Sequence, residues 1–149
     1  LEFARTGPEA AAPPDHTATP TPRWYGAVEF ADCSLYWNVN AIAAWPRDNP
    51  TTMEIVVKWV WNKEGLAARK AFLTARGRHG GSYEGLRHTL VNYQFLTGQN
   101  KMMVLSVADC DAVGRISFFE DYEWRAIEPG GKDEMARKIA LQWLSDKGD

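Results

Sequence analysis

Basic side chains are concentrated in the middle of the chain, where residues 69–88 contain a single acidic residue, Glu84. The formal net charge of the whole chain is only -2, so this local excess of positive charge is typical of a surface that binds acidic partners. A solvated helix face followed by a loop is the other interpretation of the same residues. The candidate partner-binding residues are Arg69, Lys70, Arg76, Arg78, His79, Arg87 and His88.

Large aromatic rings form a second candidate surface. The chain has seven Trp, five Tyr and six Phe, and such rings often anchor protein interfaces. The same rings would equally serve as core, and the sequence leaves both interpretations open. The aromatic interface candidates are Tyr36, Trp37, Trp45, Trp59 and Trp61.

The chain has two cysteines, Cys33 and Cys110. In one interpretation both are reduced, buried and act as small apolar residues. In the other they form one disulfide of an exported protein, which would stabilise the fold by about 4–5 kcal/mol in the chain-entropy treatment.

Catalytic and metal-binding motifs are missing from the sequence. It contains no HExxH, CxxC, DxDxDG or GxSxG pattern and no glycine-rich phosphate loop after a buried strand. The acidic cluster of Glu120, Asp121 and Glu123 is typical of a solvated turn, with a weak cation site as the alternative. We therefore predict no catalytic residue, no metal and no cofactor, and the near-zero net charge argues against a nucleic-acid partner.

Strand patterns dominate the sequence. The clearest is 52–62, where Met53, Ile55 and Val57 alternate with more polar residues, as in an antiparallel strand with one buried face. Short turns separate the later segments, which favours antiparallel neighbours. The predicted strands are 24–30, 34–39, 52–62, 86–97, 101–109 and 115–119.

Two helices are predicted, over 64–76 from residue propensity and over 132–144 from an apolar stripe. The stripe consists of Met135, Ala136, Ile139, Ala140 and Trp143. The expected fold is therefore α+β: an antiparallel meander of about six strands, with the C-terminal helix packed on it and one further helix between strands.

The first 23 residues differ in composition from the rest. They hold five of the eight prolines and many Ala and Thr, which predicts a disordered tether ahead of a domain spanning 24–149. Residues 1–3 have the character of a cloning junction. The tether is either a floppy terminus or a spacer behind a lipid-anchored or signal-processed N-terminus. Apolar runs fall short of the ~20 residues of a membrane span, so a membrane role would depend on such an anchor.

Three stretches, 34–42, 55–60 and 104–130, carry a family resemblance. The last one ends in a W-x-x-I-x-P-G motif that begins at Trp124. Together they resemble the bacterial surface-adhesin E family, proteins like the Haemophilus protein E, over about 24–143. The positions where that family has two cysteines hold Leu96-Thr97 and 141–143 here, so its disulfide is not expected.

The resemblance implies an exported, non-catalytic protein of the bacterial cell envelope, at the outer-membrane surface or in the periplasm. It also implies adhesion by binding extracellular proteins, here through the basic loop region and exposed aromatics. The alternative is a structural subunit of a homodimer, a higher oligomer or a larger envelope assembly, with the N-terminal arm docking on a neighbour.

Overall fold

The computed structural model describes residues 24–76 and 83–148 of the chain. The predicted tether, residues 1–23, therefore lies outside the described residues. Helix α1 spans Lys63–Ala75, helix α2 spans Lys132–Gly148, and a short 3-10 helix spans Val39–Ala41. The strands are β1 (Trp24–Glu29), β2 (Cys33–Asn38), β3 (Ala43–Trp45), β4 (Thr52–Trp61), β5 (His88–Leu96), β6 (Lys101–Cys110) and β7 (Arg115–Ala126).

The strands form one antiparallel sheet with the order β1-β2-β4-β5-β6-β7, and the short β3 pairs with β4 outside this path. Neighbours in the sequence are mostly neighbours in the sheet, because the connections are too short for crossovers. This confirms the predicted α+β meander, with α1 inserted between β4 and β5. The sequence missed β3, and β7 continues to Ala126, beyond the predicted end at residue 119.

The alternation predicted for β4 is confirmed. Met53, Ile55 and Val57 are fully buried on one face of the sheet, together with Tyr93 and Phe95 of β5. On that face, which we call the helix face, α2 packs its predicted apolar stripe, whose five members Met135, Ala136, Ile139, Ala140 and Trp143 all contact this core.

Polar contacts anchor the N-terminal turns of α2 to the sheet. The hydroxyl of Tyr93 donates a hydrogen bond to Asp133, and Lys132 Nζ lies 3.0 Å from Asp32 Oδ1. One turn later, Arg137 Nη2 donates to the carbonyl oxygens of Leu96 and Thr97 at 2.9 and 3.0 Å. The contacts fix the position of α2 along the strands, which apolar packing alone would leave less well determined.

We expect Tyr93→Phe to destabilise the fold by about 1–2 kcal/mol, because it removes the hydrogen bond to Asp133 and leaves that carboxylate without this donor. Urea denaturation measures the change. Tyr25→Phe is the matched control, since Tyr25 is 38% exposed, and it should change stability by less than about 0.5 kcal/mol. Equal effects of the two substitutions would contradict a specific anchoring role for Tyr93.

Helix α1 packs on the same face as α2. Its Leu73 is buried with Tyr83 and Leu86, and its Arg69 reaches Asp109 on the helix face of β6. The helix begins after Asn62, whose side chain accepts a hydrogen bond from the Gly65 amide at 2.9 Å. Within residues 24–76 and 83–148, no helix is long and apolar enough to cross a membrane.

Candidate binding cleft

The face of the sheet opposite both helices, which we call the open face, presents one continuous cross-strand row. The pairing register places five residues directly opposite one another from β2 to β7, so their side chains stand side by side on the same face. In strand order, this central row consists of Tyr36, Lys58, Leu90, Ala108 and Phe118.

The sheet curves toward this face. Trp24 of β1 packs against the cluster of Leu90, Ala108 and Cys110, which belong to β5 and β6. In a flat sheet β1 and β5 would lie three strand spacings apart, roughly 14 Å, so this contact requires curvature.

A cleft of about 740 Å³ occupies the open face between β5, β6 and β7. Its apolar lining includes Leu90, Leu105 and Phe118, and its polar lining includes Asn92 and Ser106. His88, Asp111, Arg115 and Glu120 also line it, so its walls combine apolar, polar and charged groups. Pockets for small ligands commonly have a volume in this range.

Lys58 is the second residue of the central row, between Tyr36 and Leu90, and stands outside the lining of the cleft. Its ammonium group is 4.8 Å from the ring centre of Trp24 and 6.0 Å from that of Tyr36, so two aromatic faces flank the charge. Burial lowers the pKa of Lys58 from its usual value. Among the described residues no carboxylate forms a salt bridge with Lys58.

The carboxylates that line the cleft are engaged within their own strand or turn. Asp111 Oδ1 accepts hydrogen bonds from the amides of Val113 and Gly114 at 2.9 and 2.7 Å, which closes the β6–β7 turn. A hydrogen bond with Glu120 raises the pKa of Tyr122, so this carboxylate is engaged at the cleft wall. The cation of Arg115 lies 4.8 Å from the ring centre of Phe118.

His88 is the predicted partner-binding residue that lines the cleft. It is half-buried and lies opposite Val60 and Cys110 in the rows beside Lys58. Burial, and then the charges of Lys58 and Arg87, lower the pKa of His88, so the imidazole is neutral at neutral pH. As a neutral ring it can still donate a hydrogen bond to a ligand.

The other predicted basic residues do not join His88 in one surface. The sheet separates it from α1, where Arg69 is paired with buried Asp109 and is therefore unavailable to a partner. Lys70 is half-buried on α1. Arg76 is exposed, and its guanidinium carbon lies 4.3 Å from the ring centre of Phe72. Arg87 is exposed just before β5, and Arg78 and His79 lie outside the described residues.

The predicted aromatic candidates also divide between the two faces. Tyr36 stands on the open face, in the central row, and the register places Trp45 on the same face, opposite Thr52. Trp37 and Trp59 pack against the core of the helix face, and Trp61 donates its indole N–H to Thr89 at 2.8 Å. Trp45 is half-buried at the end of β3. Strand β7 instead exposes the rings of Phe118, Tyr122 and Trp124.

The disulfide alternative is wrong for this fold. Cys33 and Cys110 are free and buried, and they lie on opposite faces of the sheet. Cys33 is on the helix face, opposite Trp61, and Cys110 is on the open face, in the cluster with Leu90. Two strands separate them, a distance of roughly 14 Å, whereas a disulfide needs Cα atoms within about 7 Å.

We expect both thiols to resist modification until the protein unfolds. Burial raises the pKa of Cys33 to about 12 and that of Cys110 to about 11, and the thiolate is the reactive form. Reaction with 5,5′-dithiobis(2-nitrobenzoate) at mildly alkaline pH should be slow in buffer and complete in denaturant without reductant. Detection of no free thiol in denaturant would contradict the fold as described here.

The acidic cluster of Glu120, Asp121 and Glu123 lies within β7 and not in a turn. Asp121 forms a salt bridge with Arg125, and Glu120 contacts Tyr122. Across 24–76 and 83–148, the structure brings together no group of three or more His, Cys, Asp and Glu residues that could hold a metal ion.

Sequence reasoning missed most of the cleft. Its lining residues Arg115, Phe118 and Tyr122 were not singled out. Lys58, which stands on the same face outside the cleft, was not singled out either, although it carries a usable signal. It is a lone cation between Val56 and Val60, on the second face of a strand that already buries its first face. A charge in that position of a central strand indicates either a partner or a ligand.

Comparisons with family models, with curated proteins and with solved structures found no match to this chain. The resemblance to the surface-adhesin E family, and the adhesion and envelope location that it implies, therefore stay predictions.

Proposed function

We propose that this chain is a binding domain, which acts without catalysis and holds a small ligand with an apolar part in the cleft of its open face. The proposal keeps the predicted binding role but places the site on the open face and not on α1. The observation that carries it is the 740 Å³ cleft, whose lining combines apolar side chains with several polar groups.

The composition of the walls supports this proposal. Phe118 and Tyr122 are 43% and 61% exposed at the side of the cleft, although large rings are normally buried. A ligand in the cleft would contact both rings and Leu90, which line it together. The gain in buried apolar surface would drive binding.

Nile red, an uncharged apolar dye, tests this site without involving ligand charge. We expect the dye to bind to the wild-type chain with enhanced fluorescence, and the Phe118→Ser/Tyr122→Ser variant to bind about tenfold more weakly. Both side chains are exposed, so the variant should retain its circular dichroism spectrum.

Phe72→Ser is the matched control, because Phe72 is 36% exposed on α1 at the opposite side of the sheet. Its dye affinity should equal that of the wild type. Absence of dye binding, or equal weakening by Phe72→Ser, would overturn the proposed cleft.

A second candidate function is assembly through β7. This strand is 12 residues long and forms one edge of the sheet built by the described residues, with Phe118, Tyr122 and Trp124 exposed along it. Unpaired edges with apolar side chains readily pair with a second strand. This observation favours the predicted structural subunit.

Size-exclusion chromatography with light scattering tests assembly. If β7 pairs between copies, the wild-type chain is dimeric and Trp124→Lys is monomeric, since a lysine on an edge strand opposes pairing. Removal of residues 1–23 tests the predicted docking arm in the same assay. A monomeric wild-type chain would remove this candidate.

A further inference from the structure

The lining of the cleft includes an arginine, Arg115, at the start of β7. This side chain is exposed, and its guanidinium carbon lies over the ring of Phe118, another residue of the lining, at 4.8 Å from the ring centre. Among the residues that the structure describes, Arg115 forms no salt bridge. Contact with the ring restricts the orientations of the guanidinium group, while its N–H donors stay available to a ligand.

His88 stands in the same cross-strand row as Arg115. The register places Cys110 of β6 opposite His88 of β5 and opposite Arg115 of β7, and all three residues line the cleft. The imidazole of His88 is neutral at neutral pH, because burial and the neighbouring cations lower its pKa, and it retains one N–H donor. This row therefore gives the cleft one full positive charge and one neutral donor.

The two carboxylates of the lining already have hydrogen-bond donors of their own. Asp111 accepts from two backbone amides of the β6–β7 turn at 2.9 and 2.7 Å, and Glu120 accepts from the hydroxyl of Tyr122. Arg115 differs from both, since its neighbour is an aromatic ring. The charged group of the lining that is best placed to take a ligand is therefore the guanidinium.

From this arrangement we propose that the cleft binds a carboxylic acid with an apolar body, whose carboxylate lies at Arg115 and whose body contacts Phe118 and Leu90. The inference rests on the proposed binding function and specifies the class of ligand. A carboxylate matches the paired N–H groups of a guanidinium and forms two charge-assisted hydrogen bonds with them. Phe118 and Leu90 line the same cleft, so the body of the ligand buries apolar surface against them.

Competition with bound Nile red measures the preference for a carboxylate. We expect 2-naphthoate to displace the dye from the wild-type chain at least about tenfold more effectively than 2-naphthamide does. The two compounds share the ring system and nearly the same shape, but at neutral pH only the naphthoate carries a charge. Equal displacement by the two compounds would overturn the inference while leaving the cleft itself intact.

Arg115→Gln tests the residue. Glutamine keeps a polar side chain and removes the charge, so we expect 2-naphthoate to lose about tenfold in affinity while the affinity for Nile red stays within about twofold. Arg115→Lys should show a smaller preference for 2-naphthoate over the amide than the wild type does, because it keeps the charge and loses the paired donors.

Arg76→Gln is the matched control. Arg76 is also exposed, and its guanidinium carbon also lies close to a phenylalanine ring, 4.3 Å from the ring centre of Phe72. It stands at the end of α1, on the side of the sheet opposite the cleft. This variant should bind both compounds as the wild type does. An equal loss of 2-naphthoate affinity in Arg76→Gln would show that binding follows net charge and not the cleft, and would overturn the inference.

The outcomes separate the two proposals. Absence of dye binding to the wild-type chain contradicts the cleft as a site. Normal dye binding with unchanged 2-naphthoate affinity in Arg115→Gln contradicts the carboxylate inference alone. If Arg115→Gln does not fold, the comparison of 2-naphthoate with 2-naphthamide on the wild-type chain still decides the head-group preference.

Discussion

Replacing Asp109 by alanine is expected to destabilise the fold by about 3–5 kcal/mol. The Asp109 side chain is fully buried on the helix face and accepts hydrogen bonds from Arg69 Nε and Nη2, both at 2.9 Å. Thr89 donates to the same carboxylate at 2.6 Å and accepts from Trp61 at 2.8 Å. Removing the carboxylate leaves the guanidinium of Arg69, only 12% exposed, without its counter-charge.

Urea denaturation of Asp109→Ala and two companions measures this effect. Asp121→Ala removes the carboxylate of the exposed pair with Arg125, and should cost less than about 1 kcal/mol. The double variant Arg69→Met/Asp109→Leu removes both charges, and we expect it to recover much of the lost stability, because the penalty comes from one unpaired buried charge. A cost for Asp109→Ala no larger than that for Asp121→Ala would contradict the network.

Gly65→Ala is expected to lower the free energy of unfolding by about 3 kcal/mol, whereas replacing glycine by alanine within a helix usually raises it. In a free helix alanine is better than glycine by about 1 kcal/mol. Here the first turn of α1 lies directly on the β1–β2 turn, where a Cβ at position 65 would overlap the carbonyl oxygen of Asp32 and approach the ring of Trp61 to 2.9 Å. The backbone oxygen cannot yield, so α1 would have to move away from the sheet.

The control for this substitution is Gly98→Ala, where a Cβ would meet nothing within 4 Å. It should leave the free energy of unfolding unchanged within about 0.5 kcal/mol. A stabilised Gly65→Ala variant would show that helix propensity outweighs the contact, and would contradict the close docking of α1. Thermal denaturation followed by circular dichroism distinguishes the two signs.

Most elements of this fold were predictable because a local pattern or a residue propensity encodes them. Alternation in β4 identified the buried face, and the stripe from Met135 to Trp143 identified the packing face of α2. The extension of β7 through Glu120 and Tyr122 escaped detection, because acidic residues in sequence resemble a solvated turn. On an edge strand the same residues remain exposed to water and cost little.

The candidate site was largely beyond sequence reasoning, because it depends on which face the helices cover. A cluster of basic residues in sequence was divided by the sheet: Arg69 went to a buried partner on the helix face and His88 to the cleft. Alternation shows that successive side chains of a strand point to opposite faces of the sheet. It does not show which face the helices leave uncovered.

By itself, therefore, the sequence determined the α+β class, most of the strand and helix segments and the buried face of the sheet. It also identified two cysteines as the possible partners of one disulfide. Only the tertiary structure decided that these cysteines lie on opposite faces, that both helices cover the same face, and that Tyr36, Lys58 and Phe118 share one row. The physical reason is the range of the interactions involved. Secondary structure follows from periodicity over a few residues, whereas strand register, sheet curvature and helix docking arise from contacts between residues far apart in the chain.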